Sequence, residues 1–258
     1  MDYLNEINPD AIRWLRELVA NGSIPESVVD ERSVEHVQAD DVIRYRQCHW
    51  FAGIAGWPLS LRLAGCEHLE SLWTGSCPCG PFSTAGKRGG YGDTRDLWPS
   101  WFWVIRSARP MLVFGEQVSS AIKFGWCDRL FDDMESEGYI GWSCVLGAHS
   151  VGAPHERQRL YWAFANTADH GLEGVQRRIE AQVSKDWTPE ALAAWNTTGS
   201  AFGDWRKLLA EPNVCRVDDG VSSTVDIRPR LHAYGNAIVP QVGALFVRSF
   251  IGGLLEKS

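Results

Sequence analysis

The sequence predicts an α/β fold in which an open, mostly parallel sheet carries helices on both faces. Short apolar runs alternate with helix-patterned segments through most of the first 166 residues, which is typical of consecutive βαβ units. Glycine-containing turns separate these runs. The chain has 258 residues, of which 45% are hydrophobic, so it can bury a core large enough for such a sheet.

The first predicted helix lies close to the N-terminus, in the stretch NEINPDAIRWLREL of residues 5–18. Asn8 is typical of an N-cap, and Pro9 is typical of the first helical position. Apolar residues recur on one face until the Asn-Gly pair at 21–22, where we expect the helix to end. A short apolar run around residues 28–29 is a candidate strand.

Further along, the pattern predicts a strand, a glycine turn and a helix over residues 47–65. The elements predicted next are a strand within 70–78, a helix over 97–108, a strand over 111–118, a helix over 120–138 and two strands over 139–148 and 159–166. From 167 to 227 the alternation breaks up, which predicts a small separate lobe or elaborated loops. An apolar helix within 234–255 then restores the pattern.

The composition argues against several classes of protein. A formal net charge of -7 is unsuited to nonspecific coating of nucleic acid, although it leaves room for a local basic cleft. The seven cysteines lack a framework spacing, so reduced thiols are expected, and no metal site is predicted from the single Cys77-Pro-Cys79 pair. No run approaches the ~18 apolar residues of a membrane span, and no signal-peptide pattern is present, so we expect a soluble cytoplasmic protein.

Two residues stand where predicted strands end. Cys79 follows the strand within 70–78 and precedes a glycine-rich loop, so it belongs at the carboxyl edge of the sheet, where ligands bind in open α/β folds. It is a candidate nucleophile, although a small buried residue in a turn fits the spacing equally well. Glu116 ends the strand over 111–118, and an apolar cleft would raise its pKa and suit it to proton delivery. The alternative for Glu116 is a solvated strand end.

A third stretch, VGAPHERQRLYWAF, alternates His155, Arg157 and Arg159. If the backbone is extended there, these three side chains share one face. A row of guanidinium groups could hold an anion or polarise a carbonyl oxygen.

Together with two glycine-containing stretches, these residues resemble the cytosine C5 DNA methyltransferase family in sequence and in relative order. FAGIAGW resembles the family's Phe-x-Gly-x-Gly-Gly motif through Phe51, Gly53 and Gly56, with Ala55 in place of the middle glycine. PCGPFS resembles the Pro-Cys-Gln motif around Cys79, with glycine in place of glutamine.

The other three motifs follow in the family's order. EQV resembles Glu-Asn-Val around Glu116, and HERQR resembles Gln-x-Arg-x-Arg, with Arg157 and Arg159 retained and His155 substituted. GNAIVP resembles the family's Gly-Asn-Ser-Val motif. Five motifs within residues 51–245 are a specific signal, far stronger than any one of them alone.

The resemblance implies a Rossmann-like, S-adenosylmethionine-dependent methyltransferase that acts on double-stranded DNA as a monomer. In this reading Cys79 adds to C6 of a flipped-out cytosine, and Glu116 and the two arginines, Arg157 and Arg159, stabilise the charge that develops in the ring. C5 then takes the methyl group. The glycine-rich loop of residues 83–93 is a plausible lid over the flipped base.

The acidic residues that hold the cofactor in this family are missing from their usual place. The family has two further strands between the glycine motif and the Pro-Cys motif, but only nine residues separate Gly65 from Gly75 here. The stretches NEINPDAIRWL and SVVDERSV resemble the two missing motifs, which predicts a permuted order with Glu6 at the ribose and Asp30 at the adenine. The alternative is that Glu6 and Asp30 only cap or solvate helix ends.

The resemblance thereby implies a set of cofactor contacts. The predicted cofactor-binding residues are Phe51, Gly53, Ile54, Gly56, Glu6, Ile7, Asp30, Pro78, Leu97, Asn236 and Ala237. Residues 1–166, with 228–258 packed back onto them, are the predicted catalytic and cofactor-binding domain. Residues 167–227 are the predicted target-recognition region.

Two alternatives remain open beside a small phage- or prophage-type DNA enzyme of restriction-modification. An RNA cytosine methyltransferase would share the catalytic chemistry. A catalytically silent DNA-binding homologue would explain the departures from the motifs, which are Ala55, Gly80, Gln117 and His155.

Overall fold

The centre of the molecule is a seven-stranded sheet. The computed structural model describes residues 1–78, 96–153, 157–183 and 237–256. The strands are β1 (Asp2–Asn5), β2 (Ser27–Asp30), β3 (Gln47–Trp50), β4 (Leu72–Gly75), β5 (Leu112–Val118), β6 (Tyr139–Leu146) and β7 (Arg159–Asn166). Their order is β2-β1-β3-β4-β5-β7-β6, and all neighbours pair in parallel except β7, which is antiparallel to β5 and to β6. The predicted mostly parallel sheet is confirmed.

Seven α-helices accompany the strands in the described part of the chain. They are α1 (Pro9–Ala20), α2 (Ala39–Val42), α3 (Gly56–Ala64), α4 (Trp98–Ala108), α5 (Trp126–Ser136), α6 (Thr167–Glu180) and α7 (Pro240–Leu255). The Asn8 side chain caps α1 by accepting from the N–H groups of Asp10 and Ala11, as predicted. None of the described helices is long and apolar enough to cross a membrane.

Two predicted elements differ from those observed. The helix expected over 120–138 is a 3-10 segment, Ser119–Phe124, followed by α5, because Gly125 adopts a left-handed φ of 70° between them. The irregular region expected from residue 167 begins with a helix instead. Asn166 caps α6 by accepting from the Asp169 N–H, and the chain beyond residue 183 lies outside the described residues until 237.

The sheet buries both of its faces, as predicted. Along β7, Trp162 and Phe164 pack with α4 and α5, whereas Tyr161 and Ala163 pack with α3, α6 and α7. This alternation follows from the period of two in a strand. On the second face Gly243 of α7 lies so close to α3 that a Cβ there would be 2.6 Å from the Ser60 Oγ. Small residues therefore allow the two helices to approach each other.

The strand order confirms the predicted permutation of the sheet. β1 and β2 precede β3 in the chain but lie beyond it in the sheet, with β1 between them. Residues 31–46 return the chain across β1. β3, α3 and β4 then form one compact βαβ unit, in which α3 ends at Gly65 with a left-handed φ of 72°. Helix α3, which follows the glycine turn, thus leads directly into β4, the neighbour of β3 in the sheet.

Candidate active site

The predicted site residues gather at the carboxyl edge of the parallel strands. Glu6 follows β1, Asp30 ends β2, and the glycine turn of residues 51–56 follows β3. Ser76 follows β4, and Glu116 lies near the end of β5. Parallel strands end on the same side of a sheet, so one edge carries all five features.

The glycine turn has an unusual backbone. Phe51, Gly53 and Ala55 all have left-handed φ values, of 53°, 54° and 67°. At Gly53 the position of a Cβ is open, since the nearest atom is the Phe51 carbonyl oxygen at 4.0 Å. Ala55 replaces the family's glycine, but its side chain is buried in a small cluster with Leu4 and Leu15. The extra methyl group therefore packs into the core under the turn.

Gly56 is required by a contact within the protein. A Cβ at this position would lie 2.3 Å from the Ile238 Cγ2, which is far below a van der Waals contact. The residue opens α3, whose N-cap Ala55 provides no side-chain hydrogen bond. The first N–H groups of α3 thus lack a capping side chain and suit an anionic group.

The Glu6 carboxylate ties two loops together at this edge. Its Oε1 accepts from the backbone N–H groups of Ile7 and Asn8 at 3.0 and 2.8 Å. Its Oε2 accepts from the Gly53 N–H at 2.8 Å. Because a carboxylate oxygen can accept two hydrogen bonds, Oε2 keeps capacity for a further donor.

Asp30 is engaged by its neighbours in the same way. It accepts from the Tyr3 hydroxyl at 2.9 Å and forms an ion pair with the Arg32 guanidinium. Burial opposes ionisation, but the hydrogen bonds and the charge of Arg32 outweigh it and lower the pKa of the Asp30 carboxyl group. Asp30 is thus a fixed anion at the end of β2.

Glu116 is the buried acid of the site, with 6% of its surface exposed. Its Oε1 lies 2.8 Å from the Arg159 Nε. Ser76 lies beside it, because Gly75 of β4 pairs with Gly115 of β5, and hydrogen bonding from the Ser76 side chain lowers the pKa of Glu116. Burial raises the pKa of Glu116, and the nearby Arg159 and Arg157 charges only partly offset that effect. The predicted upward shift of the pKa is confirmed.

The extended backbone that would place His155, Arg157 and Arg159 on one face is not observed at Arg157. β7 begins at Arg159, and Arg157 lies before it with a left-handed φ of 26°. The Arg157 Nη2 donates to the Ala237 carbonyl oxygen at 2.7 Å, which anchors the segment before α7 to the site. His155 lies outside the described residues. Two guanidinium groups nevertheless act on Glu116, Arg159 by direct contact and Arg157 through its charge.

Several predicted features fall outside the described residues. These are Cys79, Gly80, Asn236 and the proposed lid over residues 83–93. The neighbouring Cys77 is described and is buried, and its burial raises the pKa of the thiol well above its usual range. Cys77 is thus held as a neutral thiol, which is a poor nucleophile.

The remaining predicted cofactor residues are spread along the same edge. Pro78 and Ile7 are exposed, whereas Ile54 and Leu97 are half-buried. Leu97 directly precedes α4, whose first turn borders a groove of about 370 Å³. The groove is lined by Val34, Glu35, Val37, Gln38, Pro99, Ser100 and Trp103. It therefore lies between the segment that follows β2 and the start of α4.

Two residues of the site were missed by the sequence analysis. Ser76 lies beside Glu116 in the register of β4 and β5, and the Trp57 Nε1 donates to the Ser76 Oγ at 3.1 Å. Their positions in the sequence could have indicated them, because Trp57 directly follows the glycine turn and Ser76 lies near the end of the strand predicted within 70–78.

A family model and a curated protein match part of the chain. Residues 70–193 match the family model described as C-5 cytosine-specific DNA methylase. The Type II methyltransferase M.NaeI of Lentzea aerocolonigenes is 34% identical over 169 residues, which are 64% of this chain and 37% of that protein. The chain thus spans little more than a third of the length of the curated relative it matches.

Two solved structures resemble the chain over part of its length. A mutant of Spodoptera frugiperda DNMT2 has 16% identity and a TM-score of 0.42, covering 64% of this chain and 42% of that one. The Dnmt2 methyltransferase of S. pombe has 14% identity and a TM-score of 0.41, covering 91% and 66% of the two chains.

Proposed function

We propose that the chain is a C-5 cytosine-specific DNA methylase, which transfers a methyl group from S-adenosylmethionine to C5 of cytosine in double-stranded DNA. The match of residues 70–193 to the family model and the 34% identity to M.NaeI support this proposal. The observation that carries the proposal is the buried Glu116 carboxyl group, held by Arg159 and Ser76 where β4 and β5 end. An acid with a raised pKa at this edge suits protonation or hydrogen bonding of a bound base.

The proposed reaction begins at Cys79. C5 of cytosine is a weak nucleophile until a group adds at C6, and a thiolate can add there and later leave. The new S–C6 bond moves an electron pair toward C5, and the bond breaks again when C5 loses its proton after methylation. Cys77 is unsuited to this role because burial keeps its thiol protonated.

Glu116 and the two arginines would control the charge in the ring. Because burial raises the pKa of Glu116, protonating this group so that it can donate to N3 of the base costs less than it would for an exposed glutamate. Arg159 orients that carboxyl group, and Arg157 adds positive charge on the same side. A preorganised set of this kind stabilises negative charge as it develops.

The carboxyl edge fits the cofactor that the family uses. The open position over Gly53 allows close approach, and the uncapped start of α3 suits the methionine carboxylate. Glu6 would accept from the ribose hydroxyls, and Asp30 and Leu97 would contact the adenine. When bound, S-adenosylmethionine supplies an electrophilic methyl group on a sulfonium.

DNA recognition would use the remaining part of the chain. C6 is hidden in a stacked duplex, so the cytosine must be flipped out of the helix. We assign sequence readout to the region of residues 167–227. α6 would connect this region to the sheet, because its Val175 and Ile179 are buried in the core.

Methyl transfer from labelled S-adenosylmethionine to DNA and to RNA, measured in parallel, tests the proposal. We expect labelled DNA and a covalent complex trapped on 5-fluorocytosine DNA. Cys79→Ser should abolish the complex, whereas the matched control Cys77→Ser should retain it. Labelling of RNA alone would contradict the DNA assignment, and a complex that persists in Cys79→Ser would exclude Cys79 as the nucleophile.

A further inference from the structure

We infer that Ser76 and Trp57 are positioning residues, which hold the carboxyl group of Glu116 in its working orientation through a chain of hydrogen bonds. The effect of these residues on catalysis rests on the proposed function. The first link is the 3.1 Å hydrogen bond from Trp57 to Ser76. The second follows from the register of β4 and β5, in which Gly75 pairs with Gly115, so Ser76 lies beside Glu116.

The direction of the chain follows from its chemistry. The Trp57 Nε1 lies 3.1 Å from the Ser76 Oγ, and an indole nitrogen can only donate. Ser76 therefore accepts from Trp57 with one lone pair and keeps its single proton for the Glu116 carboxyl group. The hydroxyl is thereby aimed at Glu116.

Packing holds the Trp57 indole, the first donor of these hydrogen bonds, in place. Trp57 is 3% exposed, and its indole lies edge-on to the Tyr161 ring at 6.4 Å. Tyr161 faces Glu116 directly in the register of β5 and β7. The indole is thus confined between α3 and the strand opposite Glu116, so its N–H cannot turn away from Ser76 without repacking the core.

Glu116 is consequently held from two elements of the sheet. Arg159 contacts its Oε1 from β7, and Ser76 lies beside Glu116 at the end of β4, where its hydroxyl can donate to the carboxyl group. The other ionisable groups that act on it are Arg157 and Tyr161, and burial raises the pKa of Tyr161 so that its hydroxyl stays neutral. Of these contacts, Ser76 is the neutral donor that connects Glu116 to α3, the helix after the glycine turn.

A carboxyl group that loses this donor should be harder to ionise. A hydrogen bond donated to a carboxylate favours the charged form, so its removal raises the pKa. Ser76→Ala should therefore raise the pH at which Glu116 titrates. NMR of protein with carboxyl-labelled glutamate measures this pH, and the Glu116 signal is assigned as the one that is missing in Glu116→Gln. Ser76→Thr keeps the hydroxyl and should restore the wild-type titration.

A matched pair of tryptophan variants separates the hydrogen bond from packing. Trp57→Phe removes the indole N–H and should move the Glu116 titration in the same direction as Ser76→Ala. Trp50→Phe removes a buried indole N–H that has no partner among the described residues, so it should leave the titration unchanged. Thermal unfolding of every variant checks that the fold is retained.

Kinetics then connect the contact to the reaction. We expect Ser76→Ala to lower kcat about tenfold, the usual effect of one lost hydrogen bond to a charged group, with little change in KM for DNA. An unchanged Glu116 titration in both Ser76→Ala and Trp57→Phe would overturn the inference. If the variants show the expected titration shifts but the wild-type protein methylates no cytosine, the proposed function would be overturned instead.

Discussion

His49 is a buried histidine in the middle of the sheet. It lies in β3 with 1% of its surface exposed, and its Nδ1 is 2.8 Å from the Thr74 Oγ1 of β4. The pKa of its imidazole is lowered to about 4, mainly because burial disfavours the charged form. The folded protein therefore holds His49 uncharged at any pH above this value.

This histidine should make the fold sensitive to mild acid. His49 binds a proton near pH 6.5 in the unfolded chain but only near pH 4 in the folded chain. The free energy of unfolding therefore keeps the full contribution of neutral His49 above pH 6.5 and loses it as the pH falls toward 4. The loss should amount to roughly 2–4 kcal/mol. Urea unfolding at a series of pH values measures it.

A neutral replacement provides the control for this pH effect. His49→Gln can keep a hydrogen bond to Thr74 but has no proton to gain. The variant should show a flatter decline in the free energy of unfolding between pH 6.5 and 4. An equally steep decline in His49→Gln would mean that other groups cause the acid sensitivity.

Single residues also show what sequence alone could reveal about the site. Glu116 was placed correctly because it ends an apolar run, and the pKa shift follows from burial alone. Arg157 was misplaced because an alternating pattern cannot show a left-handed residue. The contact of Ser76 with Glu116 joins residues 40 positions apart, and no local pattern encodes such a contact.

Among the elements, the start of α3 depends on the segment that precedes α7. The Ile238 Cγ2 occupies the space that a Cβ of Gly56 would need. The Arg157 guanidinium holds the adjacent Ala237 carbonyl oxygen. The glycine turn and the segment before α7 thus define each other's position.

Gly56→Ala should destabilise the protein by overpacking. We expect a loss of about 1–3 kcal/mol in the free energy of unfolding, because Ile238 is β-branched and cannot easily move away. In an Ile238→Ala background the same substitution should cost much less, because the obstructing methyl group is gone. Denaturant unfolding of the two single variants and the double variant gives the coupling energy.

Gly53→Ala is the natural comparison within the same turn. Its Cβ position is open, so only the left-handed φ of 54° opposes the substitution, at about 1–2 kcal/mol. That cost should not depend on Ile238. If Gly56→Ala were likewise independent of Ile238, close packing would not be the reason for the glycine.

Helix starts and strand cores were predictable where the signal is local. Asn8 and Pro9 fixed the start of α1 because a cap acts within three residues. The direction of β7 was not predictable, because apolar periodicity is the same for either direction of a strand. The break at Gly125 was missed because the apolar spacing continues across it.

At the scale of the whole molecule, one sheet spans the part that matches the family model and the part before it. The match begins at residue 70, just before β4. β4 pairs with β3 along its length, and α7 packs on α3. The permuted order was predictable because too few residues follow Gly65 to hold the missing strands, and the strand order confirms it.

A fragment of residues 70–258 should therefore not fold independently. It would expose the edge of β4 and the face of α7 that α3 covers. We expect no cooperative thermal transition by circular dichroism for this fragment, and recovery of one when residues 1–69 are added as a separate chain. A cooperative transition in the fragment alone would show that the first three strands are dispensable for folding.

The βαβ unit of β3, α3 and β4 has a consequence for local opening. The glycine turn of residues 51–56 lies at one junction of this unit, and Ser76 lies at its far end, so only 25 positions along the chain separate Phe51 of the proposed cofactor site from Ser76 of the proposed base site. Units of this kind tend to open cooperatively in hydrogen exchange. Amides of the glycine turn and of β4 should then exchange with similar protection, and a ligand bound at either site would slow exchange at both.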